Sequence, residues 1–481
     1  MKRTLAIIFT SALLLLCSAL YLFAAEEPNI VGSWHGTLQV GADTLHVVFH
    51  IARGADGLLS GTLHSPDQGP MSMPVSKITF TGGTLVLTLA TIGGSYQAKL
   101  AADGNSLSGR WVQNGMSLPL TLTRGDGPAL SRPQEPKKPY PYREEEVSFQ
   151  NAAAHITLAG TFTAPNAAVR YPVALLIAGS GPHDRDENVA GHRPFLVLAD
   201  YLTRHGIAVL RVDKRGVGHS GGDEAQATSE DFAGDTQAGV AYLKTRPEVN
   251  PRQIGLIGHS EGGLIAPIVA TRNKDVAFIV LLAGPGVTGE QILLSQGELI
   301  KRAMGASQGD IDREHRMQLA LFSIIKNEKD DEKAEKQARQ YLNDALDQLS
   351  AQELQGLGNR EQREKFINSQ LTVLLSPWMR YYLTYDPRTA LRKVTVPVLA
   401  LNGEKDTQVA AEENLAAIKQ ALQAGGNTDV TTRELPGLNH LFQTCTTGSP
   451  LEYAKIEETF APAALEILAS WILDHCPDGK R

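Results

Sequence analysis

Three residues of this chain could do chemistry together: a serine, an aspartate and a histidine, each placed where a strand ends. Ser260 lies in Gly258-His259-Ser260-Glu261-Gly262, after the apolar run Ile254-Gly255-Leu256-Ile257 and before the small-residue helix Gly262-Gly263-Leu264-Ile265-Ala266. Gly-x-Ser-x-Gly recurs by chance in loops. A strand–turn–helix context makes it a nucleophile elbow, with the hydroxyl held out on a strained turn. Such a hydroxyl needs a base, and the base needs an orienting acid. Asp406 closes the turn Asn402-Gly403-Glu404-Lys405-Asp406, which leaves the strand Val398-Leu399-Ala400-Leu401; Glu404 in the same turn is the second choice. His440 follows the last strand in Leu435-Pro436-Gly437-Leu438-Asn439-His440, and His475, beside Cys476, is the other late histidine. The order Ser…Asp…His predicts acyl transfer through a covalent serine intermediate.

That reaction needs two backbone donors aimed at a developing oxyanion. The N–H of Glu261, directly after the serine, is one. The N–H of Ser180, in the loop Ala178-Gly179-Ser180-Gly181-Pro182, is expected to be the other. His183-Asp184-Arg185-Asp186 comes next, and its spacing matches no common metal-ligand set, so it reads as an ion-paired loop. No metal and no cofactor is expected.

The elements that must position these groups alternate between strand and helix from Arg143 onward. Strands are expected at Glu145–Gln150, His155–Ala164, Pro172–Ala178, Ala208–Val212, Ile254–Ile257, Phe278–Leu282, Pro397–Leu401 and Thr428–Leu435. Helices include Phe195–His205, Ser229–Arg246 and Pro462–His475. Continuous Val/Ile/Leu runs between helices imply a mostly parallel sheet covered on both faces. The alternation stops over 287–395, a charged, helix-prone stretch read as a helical cap inserted over the sheet. Its run Lys329-Asp330-Asp331-Glu332-Lys333 reads as a solvated helix face. Trp378-Met379-Arg380-Tyr381-Tyr382-Leu383 is read equally as pocket lining or as the seam between cap and core.

Residues 26–125 differ in kind. Roughly eight short alternating strands, among them Thr44 to Ile51, Thr84 to Thr91 and Leu118 to Thr123, indicate a small all-β barrel or sandwich. Gly32-Ser33-Trp34 gives it a lipocalin-like resemblance. His35, His46, His50 and His64 are scattered on strands without metal-site spacing. A proline-dense linker, 126–142, joins the two parts.

The chain has 481 residues and a net charge of −7, or −9 without Lys2 and Arg3, which excludes an electrostatic nucleic-acid partner. Lys2-Arg3, the apolar Leu5 to Leu16 and the small Ala24-Ala25 give residues 1–25 the form of a signal peptide, so a periplasmic or secreted protein is expected. An uncleaved membrane anchor and lipidation at Cys17 are the alternatives. Of three cysteines, Cys445 and Cys476 then remain, and in an oxidising compartment the pair reads as a disulfide bracing the base loop. Two separate core cysteines are the alternative.

From Arg143 to Arg481 the chain resembles the α/β-hydrolase superfamily, nearest to secreted serine esterase-like members of the dienelactone-hydrolase and prolyl-oligopeptidase branches. The resemblance implies a triad of Ser260, Asp406 and His440. Asp213-Lys214-Arg215-Gly216-Val217-Gly218-His219-Ser220 looks like a structural turn of that superfamily, which makes His219 and Ser220 scaffold. Where the superfamily often has His-Gly, this chain has Ala178-Gly179, which leaves the backbone donor in place. The expected function is hydrolysis of a small-molecule carboxylic ester. A peptidase or amidase on the same triad is the alternative, and a glycan- or lipid-binding protein with a secondary hydrolase core is a reading of another class.

Overall fold

The computed structural model describes residues 29–476, apart from 41–42, 55–56, 66–71, 114–115, 126, 128–130, 168 and 350–359. The signal-like segment and Cys17 lie outside the described residues. The chain divides into two compact units: Met1–His64 with Ser72–Gly127, and Ser65–Met71 with Pro128–Arg481.

Among its described residues the first unit has nine strands: β1 (Gly32–Val40), β2 (Asp43–Arg53), β3 (Leu59–His64), β4 (Ser72–Pro74), β5 (Lys77–Thr81), β6 (Thr84–Leu89), β7 (Gly94–Leu100), β8 (Ser106–Gln113) and β9 (Met116–Arg124). They form one antiparallel sheet in the order β4-β3-β2-β1-β9-β8-β7-β6-β5, so the first and last long strands pair. Alternation puts every second side chain inside, as Leu85, Leu87 and Leu89 of β6 show. Trp34, Phe49, Tyr96 and Trp111 fill the interior. The polar ends of two of these rings are satisfied there: Trp34 Nε1 donates to Ile30 O at 2.8 Å and the Tyr96 hydroxyl to Leu107 O at 2.8 Å.

The second unit holds an eight-stranded sheet: β10 (Arg143–Asn151), β11 (Ile156–Ala164), β12 (Tyr171–Ile177), β13 (Ala208–Val212), β14 (Val249–His259), β15 (Val276–Leu282), β16 (Val398–Gly403) and β17 (Val430–Leu435). The order is β10-β11-β13-β12-β14-β15-β16-β17. β10 and β11 run antiparallel, and the pairs from β13 to β17 are parallel. Both faces are covered, which is why the strands read as unbroken apolar runs. Val173, Leu175 and Ile177 of β12 pack with α2 (Ser229–Lys244) and α3 (Glu261–Arg272). Ala174 and Leu176 face the other way, with α1 (Pro194–Arg204) and a C-terminal helix, Pro462–His475. The chain leaves β12 toward β13 on one side and β14 on the other, so the ends of β12 and β14 flank a crevice.

Between β15 and β16 stands a helical layer: α4 (Gly289–Ala303), α5 (Gln308–Asn327), α6 (Asp331–Asp347), α7 (Arg360–Leu374), α8 (Pro377–Thr384) and the short α9 (Arg388–Leu391). It has its own core, including Phe322, Ile325, Ile367, Leu371, Met379 and Leu383. Thr288, Ser307, Asp330 and Ser376 precede α4, α5, α6 and α8, and each side chain accepts the N–H three residues on. Within the charged run, Asp330 is thus a cap, and Asp331 pairs with Arg380. α10 (Ala411–Ala424) and α11 (Pro462–His475) complete the sheet's cover.

One expectation is corrected: Cys445 and Cys476 are free. Ala461, at the head of α11, donates its N–H to Phe442 O in the base loop. Cys476 ends the same helix of 14 residues, about 20 Å further on at 1.5 Å per residue. A disulfide needs α-carbons within about 7 Å. Cys476 is instead a buried small residue among Leu468, Ala469 and Ile472, and burial pushes its thiol up to about 12. Cys445 Sγ points to Gly437 O at 3.5 Å.

Candidate active site

The elbow forms because β14 runs straight into α3 with one residue between them. Ser260 is that residue, at φ 52° and ψ −118°, a left-handed conformation that costs a non-glycine residue about 1–3 kcal/mol. Two glycines admit the close packing around it. A Cβ on Gly258 would lie 2.0 Å from Gly262 O, and one on Gly262 2.0 Å from Ile177 O of β12.

Asp406 and His440 meet as the order of motifs implied. His440 Nδ1 donates to Asp406 Oδ2 at 2.8 Å, both side chains being buried. Asp406 Oδ1 accepts the N–H groups of Gln408 and Val409 at 2.8 and 2.9 Å, which fixes the carboxylate plane. Glu404, the second choice, turns away and accepts Gly437 N–H at 2.7 Å. His475 pairs with Asp429 instead. Ser260 joins the pair through its neighbour: the His259 ring lies 4.8 Å from that of His440, centroid to centroid. Among the described residues no hydrogen bond links Ser260 Oγ to His440 Nε2 in this conformation.

The base loop is braced without a covalent link. Asn439 Oδ1 accepts the N–H groups of Leu441 and Gln443, both at 3.0 Å, and Phe442 stacks on Phe460 at 5.3 Å. Lys405 Nζ donates to Thr446 O at 2.9 Å, and Glu452 gathers the N–H groups of Thr446, Thr447 and Gly448.

Ser180 and Glu261 stand where the two donors were expected, at the ends of β12 and β14. Neither N–H has a hydrogen-bond partner among the described residues. The loop of Ser180 is held from behind: Gly179 N–H donates to Glu187 Oε1 at 2.7 Å and Lys214 Nζ to Gly179 O at 2.9 Å. His183 reaches Ser180 O at 2.9 Å, and burial lowers its imidazole below the ordinary range. Arg185 clamps Asp213 through Nε and a terminal nitrogen at 3.0 and 2.8 Å, and Asp186 pairs with Arg211. Burial opposes charge on Asp213, yet these donors hold its carboxyl below the usual range. Ser220 is scaffold, donating to Asp213 O and accepting Ala159 N–H.

The Glu261 side chain is wholly buried at the join between sheet and helical layer. Its Oε1 accepts Ser229 Oγ at 2.6 Å and Trp378 Nε1 at 2.7 Å, and Lys214 Nζ lies 3.4 Å from Oε2. Trp378 stacks on the buried Tyr382 at 4.8 Å. The aromatic run is therefore the seam.

Sequence reading passed over Glu187, Lys214 and Ser229, and took His259 only as a spacer. Lys214 at the end of an apolar strand was the one available signal. Glu187 had none, since its place depends on a left-handed backbone at φ 53°.

An eight-stranded, mostly parallel sheet with a strained serine turn, and with an acid and a histidine at its strand ends, is the architecture of the α/β-hydrolase fold. A family model described as serine aminopeptidase, S33, matches residues 193–347. Esterase EstD of Thermotoga maritima is 24% identical over 320 residues, which is 66% of this chain and 64% of that protein. The uncharacterized protein YfhR of Escherichia coli O157:H7 is 31% identical over 123 residues, 24% of this chain and 41% of its own length. The chain thus spans less than two thirds of the length of these curated relatives. Among solved structures, the α/β hydrolase GrgF of Penicillium sp. sh18 is 17% identical with a TM-score of 0.42, over 69% of this chain and 99% of its own. Est1E of Butyrivibrio proteoclasticus, bound to ferulic acid, is 17% identical with a TM-score of 0.39, over 69% and 98%.

Proposed function

We propose that the protein hydrolyses small-molecule carboxylic esters through an acyl-enzyme on Ser260. The observation that carries this reading is the buried Asp406–His440 hydrogen bond of 2.8 Å beside the elbow. His440 takes the Ser260 proton as the hydroxyl attacks the carbonyl. Asp406 holds the imidazole and stabilises its cation. The N–H groups of Ser180 and Glu261 receive the oxyanion, each such donor contributing about 3–4 kcal/mol. Water activated by His440 then releases the acid. No step calls for a metal or cofactor.

An aminopeptidase is the second reading, favoured by the description of the family model that matches 193–347. It would need a free carboxylate near the elbow for the substrate amine. The acidic groups at the seam are engaged: Glu261 with Ser229, Trp378 and Lys214, Glu230 with Arg272 and Tyr381, Glu290 with Lys326. That supports the ester. The N-terminal unit is read as a lipocalin-like barrel; with its interior filled by side chains, a glycan or lipid would bind outside it. Export through residues 1–25, and a linker over 126–142, complete the proposal.

The test is labelling with a fluorophosphonate probe, comparing the wild type with Ser260→Ala and His440→Ala. Labelling that depends on Ser260 is the expected result, and its absence from the wild type removes the reading. Acyl p-nitrophenyl esters against aminoacyl anilides then separate esterase from peptidase.

A further inference from the structure

His259 uses both ring nitrogens. Nε2 lies 3.0 Å from the carbonyl oxygen of His440, and Nδ1 lies 3.0 Å from Glu187 Oε1. A carbonyl oxygen only accepts, so Nε2 carries a proton. Glu187 Oε1 already accepts Gly179 N–H at 2.7 Å. A second proton, on Nδ1, completes the set, and an imidazole that donates from both nitrogens is a cation. Both side chains are buried, and Glu187 Oε2 has no hydrogen-bond partner. A buried carboxylate so poorly solvated needs a cation against it.

We propose that His259 stands as an imidazolium ion-paired with Glu187, and that this pair is the positioning element holding the oxyanion loop, the elbow and the base loop together. One proton thereby ties Gly179, after β12, to the main chain of His440, after β17, through the residue beside the nucleophile. Its kinetic consequence rests on the serine-hydrolase reading; the charge state does not.

Other titratable groups stand near the pair: His183 on the oxyanion loop, Lys214 just after β13, Asp406 on the acid turn and the His440 ring on the base loop. Asp406 adds to the attraction for a cation, and His183 acts against it. Lys214 is engaged by Gly179 O and Glu261. Burial disfavours charge on His259, but Glu187 prevails and raises the imidazole above its ordinary range. The same attraction holds Glu187 below its own, again against burial.

The sign of the pH effect follows. A raised imidazole pKa makes the pair's contribution complete below about pH 6.5, and it is lost as pH rises through the raised value. A base catalyst alone gives an acidic limb and a plateau. The pair adds an alkaline limb to kcat.

Glu187→Gln keeps an acceptor for Gly179 and removes the charge. In the full chain its kcat for an acyl p-nitrophenyl ester should fall at least tenfold at pH 8 with KM within twofold. Its alkaline limb should move down by at least one pH unit, and Glu187→Asp should restore part of that shift. The wild type, labelled with nitrogen-15, should show one imidazole with both nitrogens protonated at pH 7 whose signals change in Glu187→Gln. A neutral His259 ring in the wild type, or an unmoved limb in Glu187→Gln, would overturn the proposal. The nitrogen spectrum needs no turnover, so a wild type whose Ser260 takes no fluorophosphonate fails the hydrolase reading alone.

Discussion

The two units bury different things. In the N-terminal unit every described residue with a positive φ is a glycine, and its buried side chains are apolar or aromatic. In the α/β unit His155, Glu187, Ala190, Ser260, Ala283 and Phe442 all hold positive φ. Most of them stand on the elbow and on the loops that carry Gly179 and His440. The same unit buries Glu187, Asp213, His259, Glu261, Asp406 and His440. Strained backbone and buried charge each cost stability and persist only where packing over-determines them. One unit is built to be stable, the other spends stability on geometry.

The sharpest way to break that contrast is at Ser260 and His440. Ser260→Ala or His440→Ala should lower kcat by about 10⁴-fold or more, while the unfolding midpoint stays near that of the wild type. A residual rate within tenfold of the wild type would place the chemistry elsewhere. Trp34→Ala is the mirror experiment. It should destabilise the N-terminal unit by about 3–5 kcal/mol, measured by denaturant unfolding, and leave turnover per folded molecule unchanged.

Trp378→Phe probes the join between stability and geometry. It keeps the stacked ring but removes a hydrogen bond to a buried carboxylate, worth about 1.5–3 kcal/mol. A several-fold drop in kcat is expected, larger than the change in KM; equal stability and activity would make the seam mere packing. The smallest effect is expected at the cysteines. Peptide mapping of unreduced, denatured protein should find both Cys445 and Cys476 alkylated, and a reductant should shift the melting temperature by less than about 1 °C, since no loop closure is being lost.

What was legible in the sequence follows the same division. The strands of the α/β unit read directly because continuous Val/Ile/Leu runs have one solution, a sheet buried on both faces. The places of Ser260, Asp406 and His440 at strand ends were legible because a nucleophile, an acid and a base in that order would need them there, and the Asp406–His440 hydrogen bond was legible with them. The cysteine pairing failed because an even count carries no distance. Asp330 was read as part of a solvated charge run although a side chain before a helix start has a local use. Glu187 and His259 were invisible for a deeper reason. A carboxylate that turns back eight residues to an amide N–H, and across to a histidine 72 residues on, leaves no pattern along the chain.

The helical layer over the sheet has a consequence of another kind. It holds its own apolar core, and among the described residues its side chains hydrogen-bond to the rest of the unit at Trp378 to Glu261, Tyr381 to Glu230 and Gln296 to Gln408, while Ile292 and Tyr382 pack into the core of the sheet. A part with a core of its own is a part that can be exchanged. Grafting another helical segment between Gly289 and Thr384 would re-tailor what the crevice admits, provided the graft still presents a donor to Glu261.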